Sequence, residues 1–181
     1  MAEPAPADVA RYTSDRLAAD DAETLRLLSA GLTAARRFCG WHVTGVREED
    51  VVTMDGPGSA LLVLPTLRLV ELTAVVEDGV TLDVATALDV SPRGLVRKRS
   101  GTRWSDRFGS IKVTMKHGFD DADDFNAAVL SFVDRSSLAA TGGRERVIGP
   151  IQYEPEAMAA GSAFSVVERS LLEQYRLESP A

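Results

Sequence analysis

Apolar and polar positions along the chain follow two rhythms, and the switch between them divides it. Over residues 21–39 apolar side chains return at helical spacing, with Leu25, Leu28, Leu32, Ala35 and Cys39 on one stripe. Asp20 stands where it can cap this helix, with Glu23 three residues on in a capping-box-like arrangement. Arg36 and Arg37 fall in the last turn, where the helix dipole favours cations, and Gly40 supplies a left-handed stop. Ahead of it, residues 1–7 are rich in Pro and Ala and are expected to be flexible, with a short helical piece at 8–19.

From 51 to 117 the pattern becomes short β-branched runs separated by turn residues, the signature of hairpins. The run 51–55 is expected to meet 61–64 across Gly56-Pro57-Gly58-Ser59. The run 69–77 is expected to meet 80–84 across Asp78-Gly79, a dipeptide suited to a type I′ turn. Ser91-Pro92-Arg93-Gly94 predicts a further turn before 95–98, and 111–116 closes the set with alternating apolar side chains. One small antiparallel sheet, or two, is the expectation.

Helical spacing returns at 123–140, where Phe125, Val129, Phe132 and Val133 form the stripe and acids stand at the front. Gly142-Gly143 ends it, and a looser segment follows at 144–158. After the small-residue linker Ala159-Ala160-Gly161, Ser165-Val166-Val167-Glu168 reads as a full capping box. The helix it opens carries Val167, Leu171 and Tyr175 on one side and ends near Leu177. The fold class expected is α+β: a small helical bundle, an inserted antiparallel β-hairpin region at about 51–117, and a detached C-terminal helix. The organisation that follows is a flexible 1–7, one domain over 8–158, and a linker with terminal helix over 159–181.

Bulk properties narrow what such a chain does. Its 181 residues suit one domain with a real core, and a hydrophobic fraction of 45% with 26% charged residues is ordinary for a folded protein. A net charge of −7 and a pI near 4.9 argue against holding nucleic acid by its phosphates. One cysteine excludes an internal disulfide and a cysteine-based zinc site. The opening MAEPAPADVA lacks a secretory pattern, and no stretch approaches the ~20 apolar residues of a membrane span, so a soluble protein is expected.

Candidate chemistry is sparse. The two histidines, His42 and His117, have no partner at metal-ligand spacing and read as structural. Cys39 lies on its helix's apolar stripe, where a buried thiol is inert. Asp120, Asp121, Asp123 and Asp124 lack the ligand spacing of a calcium loop and read as a solvated loop and helix start. No nucleophile elbow, dinucleotide fingerprint or phosphate loop is present. No catalytic residue, metal or cofactor is therefore expected. The basic segment with Arg97, Arg99 and Trp104 could touch nucleic acid or an acidic partner surface, and on a hairpin of an acidic chain it reads as a protein contact.

Six stretches, in this order and spacing, carry a resemblance over residues 8–177: RRFCGWHV at 36–43, LLVLPTLRLVEL at 61–72, GLVRKRSGTRW at 94–104, IKVTMKHGF at 111–119, IGPIQY at 148–153 and ERSLLEQYRL at 168–177. They resemble the head-to-tail adaptor (connector) proteins of long-tailed bacteriophages, particularly those infecting actinobacteria. The resemblance implies a structural virion protein of the neck, assembled in the host cytoplasm. It implies a homo-oligomeric ring, a dodecamer, between the portal protein and the stopper or tail-completion protein, with DNA passing through the channel without specific binding. It also implies that the C-terminal helix docks on the portal or a neighbouring subunit, the other reading of that apolar stripe being a helix folded back on its own domain. Phe164, Val167, Leu171, Tyr175 and Leu177 would form that contact, with Arg97, Arg99 and Trp104 as further contact residues. In such a ring the sheet insertion and the helical body would supply opposite faces of each interface. The acids at 120–124 would line the channel and repel DNA. The readings left open are another neck component, such as the stopper, and a small ligand-binding domain.

Overall fold

The computed structural model describes residues 3–140 and 164–177. In chain order the elements are α1 (Pro6–Tyr12), α2 (Ala22–Cys39), β1 (Arg47–Met54), β2 (Leu61–Val63), β3 (Leu69–Glu77), β4 (Val80–Leu82), α3 (Val84–Ala87), β5 (Leu88–Val90), β6 (Leu95–Lys98), β7 (Ile111–His117), α4 (Asp123–Ala140) and α5 (Val166–Glu173). The fold is α+β. Its described residues divide into a helical unit built from 3–39, 122–140 and 164–176, and a β unit built from 40–121 with 177. The expected stop at Gly142-Gly143, the looser segment 144–158 and the linker at 159–161 lie outside the described residues.

In the helical unit α2 packs on α4, α5 packs on both, and α1 bridges α2 and α4. The stripe on α4 is as the spacing predicts, with Phe125, Val129, Phe132 and Val133 all buried. The stripe on α2 is turned from the expected one. Leu27, Leu28, Gly31, Ala35 and Cys39 face inward, while Leu25 is 48% exposed. Gly31 explains the turn: a Cβ there would sit 3.1 Å from the Phe132 ring, so its bareness lets α4 approach at that line. α1 is shorter than the expected 8–19 piece, because Ser14 and Asp15 take positive φ and stop it. Residues 3–5 are tied down, with Glu3 bonded to Arg36 and Pro4 buried.

The β unit holds two antiparallel sheets, ordered β1-β7-β3-β4 and β2-β6-β5. β7 runs down the middle of the larger sheet, and its inward residues Ile111, Val113 and Met115 are fully buried. Both sheets feed one core, where they meet Leu72 and Val75 of β3 and Leu62, Leu88 and Val96 of the smaller sheet. The hairpin at Asp78-Gly79 forms as expected, both residues taking positive φ. β5 and β6 likewise join through the 91–94 turn, closed by Gly94 N–H donating to the Ser91 carbonyl at 3.0 Å.

The expected hairpin across Gly56-Pro57-Gly58-Ser59 does not form. β1 pairs with β7 and β2 pairs with β6, so the 55–60 link crosses from one sheet to the other. Its donors bond elsewhere: Gly56 N–H donates to the Arg107 carbonyl at 2.9 Å, and Gly58 N–H to that of Ser105 at 3.0 Å. A Cβ at Gly56 would fall 2.1 Å from the Ser105 carbonyl oxygen, a backbone atom with no room to yield. Gly56→Ala is therefore expected to cost at least about 2 kcal/mol, within the range of overpacking. Both tryptophans, Trp41 and Trp104, sit in the β unit, so a urea titration followed by tryptophan fluorescence reads that loss directly.

Candidate assembly interface

α5 opens with the capping box its sequence announces. Glu168 N–H donates to Ser165 Oγ at 3.2 Å, and Ser165 N–H returns to Glu168 Oε2 at 2.7 Å. The box turns the Glu168 carboxylate inward, 2% exposed. There it accepts from Ser131 Oγ at 3.0 Å and from Arg135 Nη2 at 2.7 Å. Burial raises the pKa of this carboxyl, but the Arg135 guanidinium and the Ser165 and Ser131 donors outweigh it and hold it below its ordinary value.

The five residues expected on the docking face, on this helix and at its two ends, divide. Phe164 and Tyr175 are buried in the helical unit, their rings 5.0 Å from Phe132 and 6.1 Å from Phe125. Leu171 and Leu177 are partly covered, and Leu172 rather than Leu171 is the fully buried leucine. Val167 is exposed, as is its neighbour Val166, at 71% and 85%. The apolar stripe thus faces α2 and α4, and the outward side offers a pair of valines.

Beside α5 runs a groove of about 680 Å³ along α2. Ala30, Ala34, Phe38 and Phe164 line it with Arg26, Arg37 and Arg169. Small side chains on α2 line the space, and the Phe38 and Phe164 rings in its wall meet edge to face 6.5 Å apart. Arg26 is engaged by Glu23 at 2.6 Å, whereas no acid lies within ion-pair distance of Arg37 or Arg169 among the described residues.

In the β unit Arg97, Lys98 and Arg99 of the basic segment pair with acids of the same unit. Arg97 and Arg99 both bond Asp89, at 2.9 and 3.0 Å. Lys98 bonds Glu77 at 2.5 Å and lies over the Trp104 ring at 4.8 Å. Trp104, expected at a contact surface, is a core residue at 2% exposure; its large apolar ring completes the cluster under both sheets. Of the acidic run, Asp120 and Asp121 end the β unit and Asp123 and Asp124 occupy the first turn of α4. Asp124 accepts from Gln174 Nε2 at 2.7 Å.

Two arrangements escape sequence reading. His42 and His117 meet edge to face with ring centroids 4.5 Å apart, and His117 Nε2 lies 3.0 Å from Asp50 Oδ2. Burial, then the neighbouring His117 and Arg47, pushes the His42 pKa down to about 4. The second is the 105–110 loop, which presents Phe108 at 90% exposure. A lone aromatic within the turn-rich run Ser105-Asp106-Arg107-Phe108-Gly109-Ser110 was its signal. Burial, with Glu173 adding to it, pushes the Cys39 thiol up to about 12, which leaves it inert as a nucleophile. Among the described residues no group of three His, Cys, Asp or Glu side chains is placed to hold a metal ion, and no helix is long and apolar enough to cross a membrane.

No protein-family model matches the chain, and no curated protein matches it. Chains of solved structures resemble it, among them two neck chains. One is a chain from the neck of a native GTA particle, computed with C12 symmetry, at 16% identity and a TM-score of 0.59, covering 100% of this chain and 94% of that one. The other comes from the neck of an empty GTA particle computed with C6 symmetry, at 16% identity and a TM-score of 0.58, covering 96% and 90%. At that identity the likeness establishes the fold, and this helical unit with its β insertion has the fold of a chain found in those necks.

Proposed function

We propose that this chain is a structural subunit of a phage-like neck, acting as a head-to-tail adaptor that repeats around the particle axis between portal and stopper. The observation that carries the reading is the extent of the likeness: it takes in the whole of this chain and 94% of a neck chain. Necks computed with C6 and C12 symmetry support a ring of identical copies, in which each contact joins two different surfaces and closes by rotation. The work is assembly, and no chemistry is assigned to any residue.

The acidic balance fits a channel wall that DNA passes without sticking. Asp120, Asp121, Asp123 and Asp124 line that wall in this reading. Reversing them to lysine is expected to slow DNA release from particles, and an unchanged ejection rate would remove them from the lumen.

Portal contact is assigned to the outward side of α5. Deleting the helix would strip Phe164 and Leu172 from the bundle, so the cleaner variant is Val166→Asp with Val167→Asp. Both side chains are exposed, and the melting temperature should not change. Co-sedimentation with the portal ring, followed by negative-stain imaging, is expected to show added density at its tail-facing end for the native chain. The double variant should bind at least about tenfold more weakly. Native protein that never joins the portal overturns the adaptor role; a double variant that binds as well as native moves the contact off α5.

A further inference from the structure

Phe108 is the most exposed large apolar side chain among the described residues. A single exposed aromatic is unremarkable on its own. What sets this one apart is the backbone that holds it. Gly109 N–H donates to Asp55 Oδ1 at 2.8 Å, and Ser105 N–H to Glu77 Oε1 at 2.7 Å. The Arg107 and Ser105 carbonyls accept from Gly56 and Gly58, and the Ser110 carbonyl accepts from Asp78 N–H at 2.9 Å. The Arg107 side chain is itself bonded to Asp78. The loop is thus fixed on both sides of an aromatic that touches solvent. A preordered backbone loses little entropy when its tip is buried, which is how aromatic anchors come to dominate an interface.

The helical unit offers a matching socket. Its groove along α2 is large enough for a phenyl ring with its flanking backbone, and Phe38 and Phe164 give its wall two aromatic faces suited to a third ring. Charge fits as well. Asp106 stands two residues from Phe108 with no cation within ion-pair distance among the described residues, and Arg37 and Arg169 stand at the groove without an acid.

We propose that Phe108 of one copy seats in the α2–Phe164 groove of a second copy, with Asp106 set against Arg37 and Arg169. This rests on the ring reading above and names the contact that would build it. Knob and socket are different surfaces, so the contact repeats from copy to copy and closes only if the rotation allows.

The test is sedimentation of the full-length chain over a concentration series, alone and with the portal ring. The variants are Phe108→Ser, Asp106→Arg, Arg37→Glu and the double Asp106→Arg/Arg37→Glu. All three positions are exposed, so each variant should melt like the native chain. Each single change is expected to weaken self-association about tenfold or more, and the charge-swapped double to recover most of it. Phe108→Ser assembling like native, or a double no better than its singles, overturns the knob-and-socket contact while the ring stands. A Phe108→Ser variant that keeps its rings but loses the portal gives Phe108 a different partner and overturns the second-copy contact. Native chain that stays monomeric in both settings overturns the contact and the ring together.

Discussion

Arg135→Met is expected to destabilise the helical unit by about 3–5 kcal/mol, the loss that follows when a buried ion keeps its charge and loses its partner. The orphaned group is the Glu168 carboxylate, whose side chain is 3% exposed against 28% for that of Arg135. Ser165 N–H and Ser131 Oγ would remain as donors but carry no charge. The asymmetry of exposure makes a second outcome follow. Glu168→Leu with Arg135→Met removes both charges and should recover most of the loss, since replacing a buried pair by apolar groups is commonly neutral. Urea denaturation followed by far-UV circular dichroism measures both, because the long helices lie in this unit. An Arg135→Met loss below about 1 kcal/mol would mean the pair behaves as a surface salt bridge and would remove Glu168 as the anchor of α5.

Acid should weaken the β unit before it weakens the helical one. His42 has a folded pKa of about 4 against an ordinary 6.5, so the unfolded chain takes up the proton first as pH falls. The contribution is whole above about pH 6.5 and is lost on the way down to about pH 4, where a gap of that size amounts to about 3 kcal/mol. Asp50 adds to the loss further down, because the hydrogen bond from His117 and the nearby Arg47 hold its carboxyl below its ordinary value. Trp41 reports the event, its ring stacked 6.3 Å from that of His117. Fluorescence-monitored urea midpoints at neutral pH and near pH 4.5 should differ in the native chain. His42→Gln should flatten most of that difference. A native midpoint that does not move between the two pH values would show that His42 meets water in the folded state.

The sequence was most legible where a signal is local. The 3.6-residue period marked α2 and α4, Asp78-Gly79 marked a hairpin, and Ser165 with Glu168 marked the start of α5 to the residue. It was least legible where the deciding partner lies far along the chain. Leu25, Leu27, Leu28 and Leu32 allow two stripes on α2, and only the close approach of Phe132 at Gly31 selects between them. Gly56-Pro57-Gly58 looks like a hairpin turn until the 105–107 backbone is there to take its donors. Trp104, set among arginines, reads as surface, although its ring belongs to the core shared by the two sheets. The same limit hid the meeting of His42 with His117 and the tethers that hold Phe108 outward.

The division of the chain also sets an order of events during synthesis. The strands of the β unit all lie between Arg47 and His117, so they can pair as soon as that stretch leaves the ribosome. α2 emerges earlier, yet its main partner α4 begins only at Asp123. Its inward face, Leu27, Leu28 and Ala35, therefore waits uncovered while the whole β unit is translated. A nascent chain stalled just after β7 should carry a formed β unit beside an α2 that chaperones still bind, and extending the stall past α4 should release them.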